Sequence, residues 1–167
     1  MATPKSASFW LRGTVTPAST TVNNVEIDLS SYVDPGDRQG ILIEEVNYTF
    51  YDSSTNLPFE TASHAVAVQV KDTTSGNLVD YDSPHLVSSA GLVYGTTGMP
   101  TADTDLYPDD MGWHKGEGRI VINNVMELCG KADATLTNMI CAVRIRCKII
   151  TLSASDYMAF ALQSLTD

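Results

Sequence analysis

Histidine is the commonest catalytic base and metal ligand, and this 167-residue chain contains three, His64, His85 and His114. None stands in a two-histidine spacing such as HxH or HxxxH, so the paired ligands of a cupin-type metal centre are not visible. The many serines include no G-x-S-x-G elbow. The stretch GTTGMP at 95–100 lacks the lysine and the following helix that a phosphate-cradling loop needs. Three cysteines, Cys129, Cys141 and Cys147, are an odd number without close metal-type pairing. Cys141 and Cys147 fall six apart on one expected strand, about 20 Å from each other and beyond disulfide reach. They read as core thiols, not as exposed, activated nucleophiles. The expectation is a chain that is not an enzyme and has no resident cofactor.

Binding chemistry is better represented. The stretch 95–118 (GTTGMPTADTDLYPDDMGWHKGEG) reads as a long irregular connection, the kind that is usually a binding element. It carries Asp103, Asp105, Asp109 and Asp110, whose oxygens suit Ca²⁺ together with backbone carbonyls, although no EF-hand spacing is present and solvated loop carboxylates are the plainer reading. It also carries Tyr107 and Trp113, aromatic anchors of the type found at interface centres; packing of Trp113 on its own domain is the alternative. Arg144, Arg146 and Lys148 alternate along one strand face, about 6.7 Å apart. Such a row suits an acidic edge of a neighbouring subunit, nucleic acid, or cross-strand acids such as Glu44 or Glu127. Trp10 joins these as an expected contact from the amino-terminal segment. The two tryptophans and seven tyrosines also admit a carbohydrate-binding or adhesive module that stacks sugars on aromatic rings.

The elements that must position these residues are strands. Alternation with period two recurs along the chain: Val25, Ile27 and Leu29 in 22–29; Val66, Val68 and Val70 in 64–72; Cys141, Val143, Ile145, Cys147 and Ile149 in 139–152. In 41–51 the apolar phase begins on Ile41 and Ile43 and shifts to Val46, Tyr48 and Phe50 across Glu44 and Glu45, which predicts a β-bulge there. Ile120, Ile122, Met126 and Leu128 read as a further strand interrupted by Asn124, and 8–15 and 85–94 as weaker ones. Residues 156–165 pull both ways. Ser153 followed by Asp156 fits a helix capping box, yet Met158, Phe160 and Leu162 alternate large against small, and a strand is favoured. Eight strands separated by turn-rich pieces, with no repeat and no linker, predict one all-β antiparallel sandwich or barrel over residues 1–167.

Composition narrows the setting. Apolar residues are 43% and charged residues 18% of the chain, few charges for a surface that is wet throughout, so partners are expected to cover part of it. The net charge of -10 repels nucleic acid and anionic membranes. No apolar run approaches bilayer-spanning length, and the opening residues lack the apolar middle of a signal peptide, so synthesis in the cytosol is expected. The sequon at Asn47 therefore carries no weight.

The run CAVRIRCKIITLSASDYMAFALQSL at 141–165, a long strand, a short polar turn and a last apolar segment, resembles the closing strands of small single-jelly-roll virus capsid proteins. The layout of about eight strands, long loops and a short extended start (MATPKSASFWLRGTV) is similar to theirs as well. The resemblance implies a jelly-roll β-sandwich and a virion subunit made in the host cytoplasm. It implies a homo-oligomer of many copies, packed side by side into a shell through Trp10, Tyr107, Trp113, Arg144, Arg146 and Lys148. The start of the chain carries only Lys5 and Arg12, not a basic arm. That departure implies a protein that coats an internal membrane or shares genome contact with a second capsid protein.

Overall fold

The structure is a computed structural model that describes residues 2–19, 21–97, 100–105, 111–112 and 117–163, with 100–105 and 163 described by backbone alone. The strand β10 (Met139–Thr151) organises it. Its apolar phase, Cys141, Val143, Ile145 and Cys147, is buried to 1% exposure or less, and its polar phase faces outward, as alternation requires. It pairs along its whole length with β4 (Gln39–Asp52). On its other side it pairs with β2 (Phe9–Val15) and, further along, with the short β1 (Thr3–Pro4). β8 (Arg119–Val121) closes this first sheet against β4. The register of β4 on β10 steps from Arg146↔Glu45 to Cys147↔Ile43. Glu44 is thus the extra residue, and the bulge lies where the apolar phase shifts.

The second sheet runs in the order β3 (Asn23–Asp28), β9 (Val125–Ala132), β5 (Ala65–Lys71), β6 (Leu86–Tyr94), β7 (Pro100–Asp105), antiparallel throughout. The pairing of the two sheets is nested. β2 pairs with β10, β3 with β9, β4 with β8 and β5 with β6, as if one long hairpin had been rolled into a sandwich, which is the jelly-roll connection. Val66, Val68, Val70, Met126 and Leu128 of the second sheet meet Ile41, Ile43, Val143 and Ile145 of the first in one core. A Cβ on Gly13 would lie 3.2 Å from Leu128, and one on Gly130 3.2 Å from Val15. A side chain at either glycine would press on the facing sheet. Ile145 is fully buried, and its truncation to Ala would cost about 2–5 kcal/mol.

Three expectations are corrected. The segment 120–128 is not one strand. Its halves, β8 and β9, belong to different sheets, and the chain crosses at Asn123 and Asn124, where Asn123 Nδ2 donates to the carbonyl of Asp72 at 2.6 Å. The stretch 95–118 is not wholly irregular, since Pro100–Asp105 pairs with β6. With the short β1 added, the described residues hold ten strands, close to the eight expected. Finally, the expected last strand is a helix, α1 (Ala154–Gln163). Ser153 caps it, accepting from the Asp156 amide at 3.2 Å. Tyr157 and Phe160 then pack on Leu42, Ile150 and Leu152 at one end of the sandwich. Among the described residues no helix is long and apolar enough to cross a membrane.

Candidate assembly surfaces

The outer face of the first sheet is a grid whose rows follow from register. Trp10, Arg146 and Glu45 stand abreast on β2, β10 and β4; so do Arg12, Arg144 and Asn47, and then Thr14, Ala142 and Thr49. Trp10, Arg144 and Arg146, expected to act together, therefore share one region, with Lys148 a further step along β10. They lie on the broad face of the sandwich rather than along its side.

Charge on this grid is handled unevenly. The bulge turns Glu44 so that its carboxylate lies 2.8 Å from Lys148 Nζ and 3.4 Å from Arg146 Nε, and accepts a hydrogen bond from Ser8 Oγ at 2.7 Å. Burial pushes the Glu44 carboxyl up, but hydrogen bonds from Lys148 and Ser8 and the charges of Lys148 and Arg146 outweigh it, and the group titrates below the usual glutamate range. Glu45 adds a 4.0 Å contact to Arg146 and accepts from Asn47 Nδ2 at 2.9 Å. Two members of the expected basic row are thus paired within the chain, Lys148 with Glu44 and Arg146 with Glu44 and Glu45. Arg144 is not, and it faces Arg12 across the strand pair. Neither arginine has an ion pair or side-chain hydrogen bond among the described residues. Trp10 is 45% exposed beside them, and the three border an open depression of about 590 Å³ together with Asn47, Tyr48, Thr49 and Glu45, whose carboxylate is engaged by Arg146 and Asn47.

The outer face of the second sheet carries polar residues that are nonetheless buried: Gln69, Lys71, Ser89 and Glu127. The 72–85 connection between β5 and β6 folds over them. Lys71 Nζ meets Glu127 Oε2 at 2.7 Å, both fully buried, and donates to the Asn77 carbonyl at 2.6 Å and Ser75 Oγ at 2.5 Å. Glu127 also accepts from Asn24 Nδ2 and, at 3.0 Å, from the Gly76 amide. Burial raises the Glu127 carboxyl, but Lys71, Asn24 and Gly76 pull it below the usual range. Gln69 brackets Val79, its amide accepting from the Val79 nitrogen at 2.8 Å and donating to the Val79 carbonyl at 2.9 Å. At the far end Asp72 accepts from His85 Nδ1 at 2.7 Å and contacts Arg119 at 3.2 Å, which ties the loop's exit to β8 of the first sheet. Between these clamps Asp80, Tyr81 and Asp82 stand exposed, Tyr81 at 65%.

His64 lies 3.1 Å from Asp133 beside the start of β5, whereas His85 lies beside the start of β6, at the opposite end of that antiparallel hairpin. No group of three or more His, Cys, Asp or Glu that could hold a metal occurs among the described residues. Asp103 and Asp105 fall on β7 opposite Leu92 and Ala90. Tyr107, Asp109, Asp110, Trp113 and His114 lie outside the described residues. The three cysteines are free and buried. Burial pushes their thiols up, Cys129 to about 11 and Cys141 and Cys147 each to about 12, so none is an activated nucleophile.

The sequence reading missed Arg12 as a partner of Arg144, though its place in the outward phase of β2 with Trp10 and Thr14 was available. It also missed the Lys71–Glu127 pair and the acidic turn at 80–82, for which no local pattern announces a covering loop.

No protein-family model and no curated protein matches this chain. Among solved structures it is similar to a chain of Desmodium yellow mottle tymovirus, at 12% identity and a TM-score of 0.43, covering 92% of each chain.

Proposed function

We propose that this chain is a structural virion protein, a capsid subunit that assembles with many copies of itself into a shell, located in the virion and made in the host cytoplasm. The observation that carries the reading is the broad face of the first sheet. A jelly-roll sandwich with a closed core presents there an exposed tryptophan and two unneutralised arginines, in a chain with twice as many acidic as basic residues. The virion setting rests on the likeness of the 141–165 run to the closing strands of single-jelly-roll capsid proteins. A second capsid protein or an internal membrane is a further partner in this reading, and direct nucleic-acid binding is not part of it. Tyr107 and Trp113 are contacts in it, and Asp103, Asp105, Asp109 and Asp110 hold Ca²⁺.

The test is the mass distribution of the purified protein by light scattering across concentration and salt, with and without Ca²⁺, with electron microscopy of any large species. Closed particles or regular rings are expected, and their growth on adding Ca²⁺ supports the aspartates' part. A strict monomer under every condition overturns self-assembly. A carbohydrate-binding module is the second reading, favoured by the open groove of about 340 Å³ where Tyr81 stands over Ala65, Ala67 and Gly91. Glycan retention by the monomer that Tyr81→Ala abolishes would favour it.

A further inference from the structure

We infer that the Arg12–Arg144 face of one copy receives the Asp80–Tyr81–Asp82 turn of a second copy. The inference rests on the self-assembly reading and names its contact.

The two elements are complementary in kind. Like charges directly opposite on neighbouring strands destabilise a sheet, and the same face shows how this chain neutralises cations when it does so internally, with Glu44 on Arg146 and Lys148. In the adjoining row the position abreast of Arg144 on β4 is Asn47, not an acid. The arginine pair is left for something outside the chain. Planar guanidinium groups take carboxylates in paired hydrogen bonds and stack on aromatic rings, and Trp10 supplies an exposed apolar surface at the edge of the same depression.

The acid–aromatic–acid turn offers the matching groups. Among the described residues Asp80 and Asp82 have no side-chain ion pair or hydrogen bond, and Tyr81 is the most exposed of the large hydrophobic residues described. The turn is held rigidly. Val79 is bracketed by Gln69, the Ser83 amide donates to the Asp80 carbonyl at 3.0 Å, and the Leu86 amide donates to the Ser83 carbonyl at 3.1 Å. Docking it therefore costs little ordering of the loop. The turn and the arginines cannot meet within one chain, because the turn lies over the outer face of the second sheet and the arginines lie on the outer face of the first. The contact is head to tail, so each copy offers one turn and one socket. Such an interface propagates, closing into a ring or shell if its rotation allows.

The test uses two charge reversals in the full chain, Arg12→Glu with Arg144→Glu, and Asp80→Arg with Asp82→Arg, with the concentration for half-assembly read by light scattering and sedimentation. Each is expected to raise that concentration by about tenfold or more, with an unchanged thermal unfolding midpoint. An equimolar mixture of the two is expected to assemble again, because each reversed socket then meets a reversed turn and each native socket a native turn. Unchanged assembly of either variant, or no recovery in the mixture, overturns the inference while leaving self-assembly standing. Loss of assembly only on arginine reversal, with retention of a single-stranded oligonucleotide by the unaltered protein, assigns the socket to nucleic acid and also overturns it. A strictly monomeric unaltered protein overturns both readings.

Discussion

On the outer face of the second sheet Lys71 and Glu127 meet at 2.7 Å beneath a loop whose backbone supplies further hydrogen bonds. On the outer face of the first sheet Arg12 and Arg144 oppose each other with only Asn47 abreast. Along the strands the two sets look alike, polar residues at every second position of an apolar row. What separates them is cover. A charge that its own chain buries must be paired there, since an unpaired buried charge is costly, whereas a charge left in water can wait for a partner. The pairing state of a surface charge thus indicates whether its partner belongs to the same molecule.

The comparison can be broken most forcefully at the covered end. Lys71→Ala strands a buried carboxylate and is expected to cost about 3–5 kcal/mol, with most of it recovered when Glu127→Leu is combined with Lys71→Met; urea unfolding measures both. A loss below about 1 kcal/mol would mean that the loop opens and lets water in. A smaller effect, about 1–2 kcal/mol, is expected for Glu44→Gln, which removes the shared carboxylate of Arg146 and Lys148. The acid limb sharpens this. Glu44 and Glu127 both titrate below their ordinary value of 4.5 in the folded chain, so their stabilisation is present above that value and is lost as pH falls through the lower folded values. Unfolding midpoints followed down in pH should show a steep loss in the unaltered protein and a shallower one in Glu44→Gln. Smallest of all, Arg12→Thr relieves a like-charge pair and should raise monomer stability by a few tenths of a kcal/mol while assembly weakens. A fall in stability would show that the arginines are already satisfied within the chain.

Much of the fold was legible where one face of a strand is apolar and the other wet. β10 and β4 announce themselves, and the phase shift across Glu44 and Glu45 marks the bulge that the register confirms. Cys141 and Cys147 fall in the core as their alternation with Arg144, Arg146 and Lys148 implied, whereas Cys129, in the phase of Glu127, stands opposite Gln69 on the outer face of the second sheet and is buried there and not in the core between the sheets. Legibility failed where tertiary context decides. Ile120 through Leu128 keep one alternation although the chain leaves one sheet for the other between them. In 154–163 the cap signal of Ser153 was the better guide, and the large-small alternation of Met158, Phe160 and Leu162 misled, because Met158 and Leu162 are exposed on the helix while Phe160 packs. Of the candidate surface, the basic row was visible but its division was not. Nothing in Arg144, Arg146 and Lys148 says that Glu44 reaches two of them and that the third faces Arg12.

The nested pairing has a consequence in time as well as in space. Arg12 and Arg144 come from strands far apart in sequence, and they stand side by side only when β2 closes on β10. Contacts of such long sequence separation are slow to form, because a large loop must close before they reward it. During synthesis the intervening chain must emerge from the ribosome before the last partner is available. The arginine pair is therefore a late product of folding, and a half-made chain exposes its acidic turn without a socket to receive another.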